Sequence, residues 1–119
     1  VGNQLVRAVT DDWGHLPPGP FKLLVRMAAY SLDSSTDPEK PAGHYWRGWK
    51  HLSEGLGRKP PNDHDESPDA KSARKWMKDE VRRHTTALVR AGAVQGVVDN
   101  PGFGTRQVWK LTIARAHDL

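Results

Sequence analysis

Glu80-Val81-Arg82-Arg83-His84-Thr85-Thr86-Ala87-Leu88-Val89-Arg90-Ala91-Gly92-Ala93-Val94 is the stretch on which the reading of this chain turns. Val81, His84 or Thr85, and Leu88 recur at helical steps, so the stretch is the second half of an amphipathic helix. Gly92 ends it, as glycine does where a chain must leave a helix through a positive φ. Val94, Val97 and Val98 then mark a strand. Asn100-Pro101-Gly102-Phe103-Gly104 is rich in turn-forming residues. Beyond it, in the run Thr105 to Ile113, Trp109, Leu111 and Ile113 alternate and so share one side of a return strand. The expectation is a basic helix that runs directly into a β-hairpin.

Upstream, Ser67-Pro68-Asp69 has the form of a helix start. Serine caps, proline suits the first helical position, and an aspartate favours the positive helix end. The long helix is therefore predicted over Pro68 to Ala91, about 35 Å. Ala73, Trp76 or Met77, Val81, His84 or Thr85, and Leu88 are its apolar positions, with Trp76 read as core or, alternatively, as a ring that stacks on sugar. Before it, Arg58 to Glu66 is a polar insertion with two prolines and three acids. A shorter helix is predicted over Gly48 to Gly57, with Trp49, Leu52 and Leu56 on one face. His44 to Arg47 reads as a short strand or an extended entry, and Asp33 to Gly43 as a loop.

Pro17-Pro18-Gly19-Pro20 is a hard break. After it, Phe21, Leu24, Val25, Ala28 and Ala29 fall on one helical face, predicting a helix over about Pro20 to Leu32. Leu23, Met27 and Tyr30 widen that face, which makes the helix central. Leu5 to Val9 reads as one helical turn or an edge strand, and Trp13 as a lid over the core. The chain is read as one domain, 1–119, with its core at about 20–113, an N-terminal extension over 1–19 and a tail over 114–119.

The chain has 119 residues, enough for one domain with a modest core. Hydrophobic residues make up only 36%, charged residues 27%, and the mean hydropathy is −0.73, so part of the chain must be loop or solvated helix. Five tryptophans partly offset the shortage, since each buries a large area. There are no cysteines, which excludes disulfides, zinc-thiolate sites and a cysteine nucleophile. No apolar run approaches the ~20 residues that span a bilayer, and no signal-peptide pattern opens the chain. These features fit a reducing cytoplasm and a chain without a membrane span. A start at Val1 fits an alternative start codon or an excised domain equally.

Net charge is +4, with a pI of about 9.6, a balance that mildly favours a polyanionic partner. The charge is concentrated. Between Lys71 and Arg90 there are seven basic residues and two acids, a net +5 that exceeds the whole chain's. Lys71, Arg74 or Lys75, Lys78 and Arg82 lie three or four residues apart and so form a stripe. Repulsion along such a stripe disfavours an isolated helix, and phosphates would relieve it. The alternative is a solvated face neutralised by Asp79 and Glu80. Phe103, between two glycines at the hairpin tip, is free to press on a minor groove, on another protein, or on nothing. Asp63-His64-Asp65-Glu66 reads as a solvated loop, as oxygen ligands for a divalent ion, or as a screen over the basic helix that DNA displaces. No spacing forms a catalytic triad, a phosphate loop or a carboxylate pair, so no enzyme, no metal and no cofactor is expected.

The order helix, short strand, helix, helix, hairpin resembles that of winged helix–turn–helix domains. Trp49-Lys50-His51-Leu52-Ser53-Glu54-Gly55-Leu56-Gly57 resembles the family's second helix, which ends in a Leu, Ala, Glu, x, Leu, Gly pattern. Val81 to Val94 is similar to the end of its recognition helix and the entry to its wing. Val108-Trp109-Lys110-Leu111-Thr112 is similar to the strand that closes the wing. The resemblance spans about Pro20 to Thr112. Two departures stand out. Thr85 replaces a leucine, and the tight turn between the last two helices is replaced by the insertion Lys59 to Ser67. Comparable expanded versions occur among phage and plasmid replication initiators and regulators.

The resemblance implies an α+β, mainly α domain: a three-helix core, a C-terminal β-hairpin wing, and an expanded loop between its second and third helices. It implies sequence-specific binding of double-stranded DNA, in replication initiation or transcription regulation. The long helix would enter the major groove, with base contacts from Ser72, Arg74, Lys75, Lys78, Asp79 and Arg82. Lys71, Arg83, Arg106 and Lys110 would contact phosphates, and Phe103 would form the wing tip. A homodimer and replication or transcription partner proteins stay open. The alternative is a winged helix used for protein–protein interaction within a larger nucleoprotein assembly.

Overall fold

Pro17 and Pro18 set the first boundary that matters: they end an N-terminal segment and start a helix whose first turn needs no donor from them. The computed structural model of the chain describes residues 3–31, 43–98 and 107–113. Among them are four helices, α1 (Asn3–Asp12), α2 (Pro18–Ala29), α3 (Trp49–Gly55) and α4 (Pro68–Arg90). Three strands, β1 (His44–Tyr45), β2 (Val94–Val98) and β3 (Gln107–Leu111), complete the set. The result is a small α+β structure, mainly helical, with one antiparallel sheet in the order β1-β3-β2.

The long helix follows the local rules that predicted it. Ser67 Oγ accepts from the Ala70 amide at 3.2 Å, Pro68 sits in the first turn, and Asp69 lies at the positive end. At the other end Gly92 adopts φ +80°, and the Ala93 amide donates to the Leu88 carbonyl at 3.0 Å, closing the helix and aiming the chain into β2. The hairpin register pairs Val94 with Leu111 and Gly96 with Trp109, while β1 adds Tyr45 opposite Trp109. Phe103, Arg106, the hairpin turn and the tail after Ile113 lie outside the described residues.

Several boundaries move. Leu5 to Val9 belongs to a ten-residue helix and is neither a single turn nor a strand. Leu5, Ala8 and Val9 are buried in the main cluster, so the core starts near Leu5 and not near residue 20. The sequence reading missed this because α1 has a modest apolar stripe whose partner, α2, lies beyond a proline break. Trp13 does pack against the core at the end of that helix. α2 is centred on Leu23, Leu24, Met27 and Ala28, and Tyr30, expected to widen its apolar face, is 46% exposed. α3 is shorter than expected, because Gly48 at φ +85° stands outside it as the N-cap and Leu56 is already its C-cap.

The core gathers α1, α2, α3, the second half of α4 and the inner side of the sheet. Tyr45, Leu52, Leu88 and Ile113 are almost fully buried there. Burying each large side chain stabilises by roughly 1.5–3 kcal/mol. Thr85, the departure from leucine, is also buried, at 4% exposure, and its hydroxyl donates to the Arg82 carbonyl at 3.0 Å. The polar atom is thereby satisfied within its own helix. α2 approaches α4 closely at Gly19, where an added Cβ would stand 2.3 Å from the His84 ring.

Candidate nucleic-acid interface

α4 has a buried side formed by Ala70, Met77, Val81, Thr85 and Leu88. At 3.6 residues per turn, that choice places Lys71, Lys75, Lys78 and Arg82 together along one exposed flank. Lys75 and Lys78 have no carboxylate partner among the described residues, while Arg82 reaches Asp79 only at 4.0 Å with 78% of its side chain exposed. Lys71 is 3.5 Å from Glu66. Both of those pairs are solvent-screened and hold their cations weakly.

The stripe borders a groove of about 480 Å³ where three elements meet. α3 contributes Trp49 and Leu52, α4 contributes Lys78, Val81 and Arg82, and β3 contributes Trp109. Leu52 and Val81 are buried at 1% and 5% exposure and form the floor, while Trp49 and Trp109 are partly buried walls. The Lys78 ammonium stands 5.3 Å from the Trp49 ring centroid and the Lys50 ammonium 6.0 Å from it, within the range of a cation–π contact. The groove is thus apolar inside and cationic at its mouth.

Other expected contact residues are placed differently. Arg74 does not join the stripe: its guanidinium donates to the backbone carbonyls of Asn62 at 3.1 Å and Asp65 at 2.8 Å. Lys75 fills the place that the spacing left open between the two. Ser72, exposed, lies near Asp79 on the outward face. Arg83 and Arg90 share a second, shallower depression with Arg82, about 450 Å³, around the far side of α4. Lys110 is exposed on β3, but one residue from Trp109 and so on the opposite side of the sheet, away from the groove. Arg106 and Phe103 lie outside the described residues.

Trp76 corrects the sequence reading. It is 46% exposed, not core, because Met77 takes the inward position one residue later. The Arg58 guanidinium lies 5.2 Å from its ring and forms a two-pronged bond to Glu80, Nε to Oε1 at 3.1 Å and Nη2 to Oε2 at 2.8 Å. That fork holds the Glu80 carboxyl below its ordinary range, against the opposing effect of burial. Glu80 therefore spends its charge on the α3–α4 connection and does not neutralise the stripe.

The acidic insertion is ordered by its own turns. Asn62 Oδ1 accepts from the His64 amide and Asp65 Oδ1 from the Ser67 amide, each at 2.9 Å. Asp63 is paired with Lys50, at the groove's edge. Among the described residues no group of three or more histidines and carboxylates is placed to hold a metal ion, and no helix is long and apolar enough to cross a membrane.

Sequence reasoning missed Trp49, Lys50 and Arg58 as neighbours of this surface. Trp49 was legible as apolar, yet its place beside Lys78 depends on how α3 crosses α4. Comparison with protein-family models, with curated proteins and with solved structures returned no match.

Proposed function

We propose that this chain is a winged helix domain that binds double-stranded DNA, with α4 in the major groove and the β2–β3 hairpin as the wing. The observation that supports this reading best is the flank of Lys71, Lys75, Lys78 and Arg82, four cations on one exposed side of a single helix beside the sheet. Phosphates bound there release counterions and relieve the repulsion along the helix. Lys75, Lys78 and Arg82 are the base-contact candidates. Ser72 and Asp79 accompany them on the outward face, and Arg83 and Arg90 extend the cationic surface toward a second backbone. Arg74 becomes a positioning residue that fixes the loop before α4. A role in replication initiation or transcription regulation follows from the resemblance of the helix-to-wing motif. The setting consistent with it is the cytoplasm, at the nucleoid.

Titration of the full chain against genomic duplex fragments at low and high salt tests the reading. About six phosphate contacts lower the affinity by roughly 10³ or more between about 50 and 200 mM salt. Lys78→Ala with Arg82→Ala should weaken binding and flatten the salt dependence while leaving the far-ultraviolet circular dichroism unchanged. Affinity indifferent to salt, or wild-type affinity in the double variant, would overturn the reading and favour a protein-interaction module in its place.

A further inference from the structure

The groove is more apolar than a surface for paired DNA requires. Major-groove reading needs side chains that project to base edges, and phosphate contacts need exposed cations. Neither needs a recess of about 480 Å³ with two indole walls and a floor of Leu52 and Val81. Such a volume lies within the range that takes a small planar ligand, roughly 300–1,000 Å³. Lys78 and Arg82 at its mouth demand an anion beside that apolar body. A single apolar side chain would satisfy the walls and leave the cations unanswered. A nucleotide joins a planar π-face to a phosphate in one molecule and satisfies both.

We propose that the groove between Trp49 and Trp109 receives one unpaired nucleobase, with the adjoining phosphate held by Lys78 and Arg82, which face base edges only where the duplex is fully paired. The proposal rests on the DNA-binding reading and deepens it: the preferred DNA is a duplex interrupted by an unstacked base. A paired base cannot enter, because its faces are sealed in the stack, and extruding it costs a few kcal/mol that an already unpaired base does not incur. Stacking on an indole then favours the interrupted duplex. The Lys78 ammonium, 5.3 Å from the Trp49 ring centroid and part of the groove lining, is within reach of a phosphate beside that ring, and an entering base would displace it from the ring toward that phosphate.

The test uses the full chain and three duplexes of one sequence: fully paired, with a single bulged thymidine, and with an abasic site at that bulge. The abasic duplex bends like the bulged one but offers no base. The expected result is affinity for the thymidine bulge on the order of tenfold above that for the abasic bulge, with quenching of tryptophan fluorescence. Trp49→Leu should lose both the preference and the extra quenching. Equal affinity for the two bulges, with the paired duplex still bound, overturns the base slot and leaves the DNA-binding reading standing. Binding to none of the three overturns both. A preference that survives Trp49→Leu places the base elsewhere and overturns this assignment. Should Trp49→Leu fail to fold, the wild-type comparison of the two bulges decides.

Discussion

The two halves of α4 are held in place by different forces. Residues 80–90 are anchored by packing: Val81 and Leu88 belong to the continuous core, Thr85 is buried beside them, and His84 fits against Gly19. Residues 68–79 place only Ala70 and Met77 inward, outside that main cluster, and depend on polar ties to the preceding loop. Ser67 caps the first turn, Arg74 grips two loop carbonyls, and Glu66 faces Lys71. One half is therefore fixed by area removed from water, and the other by hydrogen bonds exposed to it. The contrast explains how a helix can belong to the core and still present a cationic flank. The packed half sets its rotation, and the tied half carries cations that need not be buried.

The largest effect that would break this comparison is in the packed half. Leu88→Ala should cost about 2–5 kcal/mol, because it empties a fully buried position in a small core. A urea or thermal unfolding series checks it. A loss below about 1 kcal/mol would mean that the core around Leu88 collapses freely and that packing does not set the rotation of α4.

Smaller effects belong to the tied half. Ser67→Ala should cost about 1 kcal/mol, the usual worth of a serine cap. Arg74→Ala, which removes two exposed bonds to the loop, should change the unfolding midpoint by less than that. It should instead speed amide hydrogen exchange or proteolysis across 62–67. If Arg74→Ala destabilised as much as Leu88→Ala, the division between the two halves would be wrong.

A pH series separates buried rings from hydrogen-bonded carboxylates, the smallest effect of the three. His84 is held below the ordinary histidine value of 6.5 by burial first and then by Arg83, with Glu80 opposing. His51 is lowered by burial first and then by Arg26 and Arg47, with Glu54 opposing. Both rings favour the neutral form when folded, so the unfolded chain binds more protons as pH falls. Their stabilisation is complete above the ordinary histidine value and is lost as pH falls from there through the lower folded values. Glu80 and Asp65 are also lowered, chiefly by hydrogen bonds from Arg58 and from Ser67, so a further loss follows below the ordinary carboxylate values of 4.5 and 3.8. Denaturant midpoints measured from pH 8 to pH 2 should fall in that order, and His84→Gln should shrink the first step. A midpoint that rises on acidification through the histidine range would contradict the packing of His84 on Gly19.

Much of this layout was legible locally. The start of α4 at Pro68 was written in Ser67-Pro68-Asp69, and its stop was written in Gly92, because caps and positive φ are properties of a few adjacent residues. The two hairpin strands and the concentration of charge on α4 were equally plain. Trp76 and Arg74 show where that legibility ended. Periodicity offered Trp76 or Met77 as the inward residue, and only the partner surface chose Met77. Nothing in the spacing told which of Arg74 and Lys75 would stay on the open flank, since that depended on a loop whose carbonyls captured Arg74.

Sequence order established α2, α3, α4 and the hairpin strands, their approximate ends and the excess of cations on one helix, because each of those is settled within a few turns of chain. Folding in three dimensions decided the burial of α1, the bond from Arg58 to Glu80, and the meeting of Trp49, Lys78 and Trp109 around one groove. Those residues are far apart along the chain. Their contact depends on the crossing of α3 over α4 and on the register of β3, which the whole core fixes together and no local pattern encodes.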